Sequence, residues 1–217
     1  MKIAFVGGTG PAGIGLAARL ATVGHEALIG SRWEDRAASA AEEVLSLAPG
    51  ATVTSGLNAD VVHDAEVVLL TLPYAAEVDT VETLRPGLDG KVVVSIANPI
   101  TVEGGRVTYI QPAEGSLAIG VAHAAPLARV VSAFQEIHIR KWRKVELKID
   151  SHTVVCGDDA GAKQTVMDLS EQLGVHAVDG GRLANSRYVE GFVALLVDIN
   201  LRYKASTSLR ITGLEKK

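Results

Sequence analysis

The apolar run Ile3-Ala4-Phe5-Val6 leads into Gly8-Thr9-Gly10-Pro11-Ala12-Gly13, and a helical pattern follows at once. Strand, glycine turn and helix in that order leave few folds open. This is the dinucleotide-binding fingerprint G-x-G-x-x-G in its structural context. Gly8 is expected to permit the tight turn. Gly10, with no side chain, lets the backbone approach a pyrophosphate. Gly13 lets the helix pack close to the strand. The pyrophosphate would rest on the free N–H groups of the helix N-terminus, alongside Thr9, Pro11 and Ala12.

The second strand pattern, Glu26-Ala27-Leu28-Ile29, ends at Gly30-Ser31-Arg32. A carboxylate at this point, about 20 residues past the glycines, would bind the adenosine ribose of NAD. No carboxylate is there. A hydroxyl, Ser31, and a guanidinium, Arg32, take its place, and Arg36 follows one helical turn later. Charge-assisted hydrogen bonds are worth roughly 1.5–3 kcal/mol each, so these groups favour a 2′-phosphate and hence NADP. Ser31-x-x-Glu34 also reads as a capping box, which makes Ser31 the start of the next helix. The two roles are compatible.

Strand and helix patterns then alternate, which predicts an α/β fold of Rossmann type, with a doubly wound, mostly parallel sheet. Strands are expected at 2–6, 26–30, 51–54, 66–71, 91–95, 128–134, 154–156 and 175–178. Helices are expected at 12–23, 33–47, 74–84, 116–123, 159–173 and 183–203, with a turn or two capped by Asn58-Ala59-Asp60. Residues 97–115 hold three glycines and two prolines with little periodicity, and read as an active-site loop. Residues 135–150 are ambiguous. A division into 1–125, binding the nucleotide, and 126–217, lining a second pocket, is the expected organisation, with one compact domain as the alternative.

Composition narrows the function classes. The chain has 217 residues, 47% hydrophobic, enough for a substantial core. A net charge of −4 argues against a nucleic-acid partner. No uncharged apolar run approaches a membrane span, and the first residues already form a strand with no signal peptide, so a cytoplasmic protein is expected. The single cysteine, Cys156, ends a strand pattern and reads as an inert core thiol. The six histidines lack ligand spacing, so no metal is expected.

Several segments together are specific. Val6-Gly7-Gly8-Thr9-Gly10, Leu28-Ile29-Gly30-Ser31-Arg32 and Cys156-Gly157-Asp158-Asp159 with Leu183-Ala184-Asn185-Ser186-Arg187 resemble the F420:NADP oxidoreductases of archaea and actinobacteria. Leu70-Thr71-Leu72-Pro73-Tyr74 and Val130-Val131-Ser132-Ala133-Phe134 are similar to family segments too. The resemblance spans nearly the whole chain. It implies that Thr9, Ser31, Arg32 and Arg36 hold the 2′-phosphate, and that Leu72 and Pro73 lie beside the nicotinamide. It also implies a deazaflavin pocket at Phe134, Gln135 and Ile137. Asn185, opening the last long helix, is a further substrate-pocket candidate, or only that helix's N-cap. Gln135 stands where the better-known members carry His, and His138 where they carry Pro.

The implied reaction moves a hydride between NADP(H) and coenzyme F420. Two cofactor-type rings already carry the chemistry, so no catalytic side chain is expected; the protein positions the rings and excludes water. His123 and His138 flank the expected substrate region. The basic run Arg140-Lys141-Trp142-Arg143-Lys144 would attract the anionic tail of F420, or else form a solvated face. The helix at 183–203 is apolar on more than one face, and the family is commonly dimeric, so a homodimer is expected. Two other readings remain at this point: an NADPH-dependent reductase of another acceptor (a ferric complex, a flavin, a small imine or carbonyl), or a non-catalytic NADP-binding redox sensor.

Overall fold

The computed structural model describes residues 1–214. In chain order the first half comprises β1 (Lys2–Val6), α1 (Pro11–Thr22), β2 (Glu26–Ser31), α2 (Glu34–Leu47), β3 (Val53–Leu57), α3 (Asn58–Asp64), β4 (Val67–Leu70), α4 (Tyr74–Leu88) and β5 (Val92–Ser95). The second half comprises β6 (Ile100–Glu103), β7 (Arg106–Tyr109), α5 (Leu117–Ala124), β8 (Arg129–Ser132), α6 (Ile139–Trp142), β9 (His152–Gly157), α7 (Ala160–Gln172) and β10 (His176–Asp179). A 3-10 turn at Leu183–Asn185 then leads into α8 (Ser186–Tyr203).

Eight strands form one sheet in the order β10-β9-β8-β5-β4-β1-β2-β3. Every pairing is parallel except β8 with β9, so β9 and β10 run against the rest. The central strands are buried on both faces, which is why they read as unbroken apolar runs rather than alternating ones. Ile3, Phe5, Val67, Leu69, Val92 and Val94 point into one core, with α1, α2 and α7. Ala4, Val6, Val68, Leu70 and Val93 point into the other, with α3, α4 and α5.

Three expectations change. Residues 97–115 are not structureless: β6 and β7 pair as an antiparallel hairpin joined by Gly104-Gly105, both in the left-handed region that a tight hairpin turn requires. Strand pairing gave this segment its order where side-chain periodicity was weak. Ser31 is not an N-cap: it ends β2, and Trp33 is the N-cap of α2. The Ser31 hydroxyl instead accepts from the Trp33 N–H at 3.2 Å, so the turn out of the strand uses it before the helix begins. Asn58 does not cap α3 either, since it already lies inside that helix and its side chain reaches back to the turn after β1.

Glu77, on α4, is fully buried, and neither carboxylate oxygen has a hydrogen-bond partner. Burial, reinforced by Glu190, pushes its carboxyl up to about 8. Burial also raises Glu136 and Glu190, each to about 7, although both accept backbone N–H bonds. An acid held protonated in the fold makes the folded chain bind more protons than the unfolded one. Stability therefore falls as pH rises, from the unfolded value of 4.5 to about 8 for Glu77. Melting temperatures measured from pH 5 to 8.5 should decline. Glu77→Gln, which cannot ionise, should remove the portion of that decline above about 7. An unaltered slope in the variant would contradict this account.

Candidate functional site

Two cavities open at the carboxyl ends of the parallel strands, where sheets of this type bind ligands. The larger, of about 460 Å³, lies over β1, β2 and β4. It brings together Thr9, Gly10, Pro11, Ala12, Ser31, Arg32, Arg36, Leu72 and Pro73 of the expected cofactor residues. Gly8 and Gly13 do not line it. They pack the turn instead: a Cβ on Gly13 would meet the Gly8 backbone at 2.8–2.9 Å. The left-handed residue of the turn is Gly7, one position before the fingerprint, at φ 69°. A side chain there would also collide with Leu72, so Gly7 is what allows Leu72 into the cavity wall.

α1 begins at this cavity with Gly10 as N-cap and no side-chain cap on its first N–H groups. A Cβ on Gly10 would meet nothing within 4 Å, so the space above the helix end is open. A pyrophosphate would fit that open, uncapped N-terminus. Across from it stand Ser31, Arg32 and Arg36. Among the described residues neither guanidinium has an ion-pair partner, which leaves both charges available to an anion. Sequence reasoning missed Asn58, whose Oδ1 accepts from the Gly7 N–H at 3.2 Å, and Trp33, Thr71, Ala76, Thr80 and Ile139. Trp33 adjoins Arg32 and Thr71 adjoins Leu72, and both were legible from those neighbours. The others are brought in only by packing.

The second cavity, of about 310 Å³, adjoins the first, and Ala12 and Ile139 line both. Phe134, Gln135 and Ile137 line it as expected from the resemblance, and His138 joins them. Asn185 does not: its amide donates to the Gly180 carbonyl at 2.7 Å, and its side chain caps nothing. His123 is exposed on α5 and lines neither cavity. Of the segment 97–115, only Asn98 reaches a cavity wall. Cys156 is buried, and burial pushes its thiol up to about 12, which suits an inert core residue.

The wall at 134–138 is held under strain. Phe134 is a buried non-glycine residue at φ 71°, in the left-handed region. Its N–H donates to Thr153 Oγ1 at 2.7 Å, and that hydroxyl donates to Glu136 Oε2 at 3.0 Å. Glu136 Oε1 accepts from the Val154 N–H. The Phe134 ring meets Trp142 edge to face, 5.8 Å between centroids. These contacts over-determine the turn, so it keeps a conformation that costs about 1–3 kcal/mol.

The basic run 140–144 divides by role. Trp142 is buried in the core, packed over Gly15, where any Cβ would meet the Trp142 and Arg143 backbone within 2.8 Å. Arg143 pairs with Glu43, and Lys141 Nζ donates to Ser208 Oγ at 3.0 Å. Arg140 alone faces a groove that it shares with Lys204 and that continues from the second cavity through His138, Val197 and Asn200. His138 Nδ1 accepts from the Arg140 N–H, and burial together with Arg140 and Lys141 holds its imidazole below the usual range.

Residues 2–99 match the family described as NADP oxidoreductase, coenzyme F420-dependent. Over 99% of its length the chain is 38% identical to an F420-dependent NADP reductase of Methanocaldococcus jannaschii, covering 100% of that protein. It is 35% identical to another of the same description from Methanothermobacter marburgensis, over 99% of both chains. A crystal structure of a candidate F420-dependent NADP reductase from Arthrobacter sp. FB24 superposes with a TM-score of 0.82, at 26% identity, over 98% of this chain and 99% of that one.

Proposed function

The chain belongs to the family of coenzyme F420-dependent NADP oxidoreductases, and on that premise we propose that it transfers hydride between NADP(H) and the deazaflavin coenzyme F420. The observation that carries the reading is the adjacency of two unlike cavities. One has an uncapped helix N-terminus and two unpaired guanidinium groups; the other is largely apolar. When bound, NADP and F420 supply the hydride donor and acceptor positions. The chain supplies the rest. The N–H groups at the start of α1 hold the pyrophosphate, with Thr9 and Gly10 beside it. Ser31, Arg32 and Arg36 hold the 2′-phosphate. Leu72 and Pro73 back the nicotinamide. Ala12, a methyl group on the boundary of both cavities, leaves the two rings room to meet. Ile137, Trp142, Val193 and Leu196 keep water from the second cavity. No side chain need act as acid or base on the hydride step, because positioning is the main source of rate.

The functional division follows the chain. Residues up to 125 supply the NADP cavity almost entirely, and most of the second cavity comes from 126–217. α8 supports a homodimer reading. It buries Val189, Val193 and Leu196 but exposes Tyr188 (69%), Phe192 and Leu195 (52%) on another face. Sedimentation should give twice the chain mass. Among the described residues no helix is long and apolar enough to cross a membrane, and a cytoplasmic setting is part of this proposal.

Mixed with oxidised F420, NADPH should bleach the deazaflavin absorption band, and NADH should do so far more slowly. Failure of NADPH to bleach it, with NADPH bound, would overturn the F420 assignment. Arg32→Ala should weaken NADPH binding by about ten- to a hundredfold, the value of one charge-assisted bond, and leave NADH binding nearly unchanged. Equal losses for both nucleotides would refute 2′-phosphate recognition by Arg32. Replacing Arg140 and Lys204 together by Ser should raise the KM for F420 several-fold, without effect on NADPH or on the deazaflavin lacking its anionic tail. An unchanged KM would remove the groove from the reading.

A further inference from the structure

Only two tryptophans occur in a chain with 4% aromatic residues, and the fold treats them in opposite ways. Trp142 is core, 2% exposed, whereas Trp33 is 57% exposed. Trp33 nevertheless lines the larger cavity, and it does not line the second one. An uncovered aromatic face on a cavity wall is a surface for a flat ligand. The stem that carries the indole is fixed. Its N–H donates to Ser31 Oγ at 3.2 Å, and its carbonyl, at the N-cap of α2, accepts from the Ala37 N–H at 3.1 Å. The side chain takes no part in that cap, so the backbone turn does not depend on it.

The two arginines proposed to hold the 2′-phosphate flank Trp33 in the chain, and all three residues line the same cavity. In NADP the 2′-phosphate and the adenine sit on adjacent carbons of one ribose. A phosphate held at Arg32 and Arg36 therefore brings the adenine to their immediate side. The pyrophosphate, at the start of α1, and the nicotinamide, at Leu72 and Pro73, lie elsewhere along the cavity. Resting on that reading of the cavity, we infer that the Trp33 indole stacks on the adenine of the bound nucleotide. Stacking uses the flat face of the base and has no part for the 2′-phosphate. The roles then divide. Arg32 and Arg36 choose NADP over NAD, and Trp33 adds affinity for either nucleotide.

Calorimetry and tryptophan emission on the whole protein test this. The ligands are NADPH, NADH, adenosine 2′,5′-bisphosphate and reduced nicotinamide mononucleotide, which has no adenine. Trp33→Ala should weaken the three adenine ligands alike, by about five- to a hundredfold, the range of base–aromatic stacking. The mononucleotide should bind the variant as it binds the wild type. Trp33→Phe, which keeps an aromatic face, should retain most of the affinity. Adenosine 2′,5′-bisphosphate, with no nicotinamide to absorb tryptophan emission, should quench the wild type. In Trp33→Phe only buried Trp142 remains, and the quench should disappear. Unchanged affinity of Trp33→Ala for the adenine ligands would overturn the stacking and leave the NADP reading standing. A loss confined to the ligands with a 2′-phosphate, or one shared by the mononucleotide, would overturn it too. Equal binding of NADPH and NADH by the wild type, both weakened in Trp33→Ala, would overturn the NADP preference and keep the stacking. No binding of any adenine ligand would overturn both.

Discussion

The two cavities exist side by side because one buried guanidinium holds a loop on the back of a helix. Arg19, on α1, donates to the carbonyls of Lys141, Trp142, Lys144 and Leu147. Burial lowers its pKa, yet an arginine remains charged, and charge-assisted bonds to carbonyls are the strong kind. One turn earlier, Gly15 leaves just enough space for Trp142 to lie against the helix. The same helix presents its open N-terminus to the larger cavity. α1 therefore shapes both cavities at once, one at its end and one through the segment clamped on its flank. Removing Arg19 would take a donor from all four carbonyls, of which those of Lys141 and Lys144 keep a backbone N–H; a carbonyl left buried without a partner costs on the order of 1–3 kcal/mol.

Apart from Glu77, whose carboxyl is unpaired, the buried polar groups around these two cavities follow two patterns. Glu136 and Glu190 are fully engaged: the first pins the strained Phe134 turn through Thr153 and Val154, and the second caps the start of α5 through Leu117 and Ala118. These acids stabilise geometry. Gln135 and Asn98 are half engaged, their amide nitrogens fixed and their oxygens left over.

Much of the architecture was legible from the chain. The central strands stood out because burial on both faces demands continuous apolar runs, and Ile3 through Val6 and Val67 through Leu70 supply them. The larger cavity was legible because its parts, Thr9 to Ala12 and Ser31 to Arg36, are local in sequence and sit at strand ends. The hairpin at β6 and β7 was missed, since short strands of mixed polarity carry little periodic signal. Ser31 misled as a cap because S-x-x-E is also compatible with the last residue of a strand. The basic run at 140–144 read as one patch, yet Trp142 is core, Arg143 is paired to Glu43, and only Arg140 faces the groove.

By itself the sequence determined the doubly wound sheet, the glycine turn and the basic cluster of Arg32 and Arg36 after β2, because each depends on residues that are neighbours along the chain. The tertiary structure alone decided the second cavity. Asn98, Gln135 and Thr207 lie far apart in the chain, and Ala12 meets Ile139 only because Arg19 and Gly15 hold the segment after α6 against α1. Burial, and the hydrogen bonds that burial leaves unmade, are properties of that packing and have no signature in local pattern.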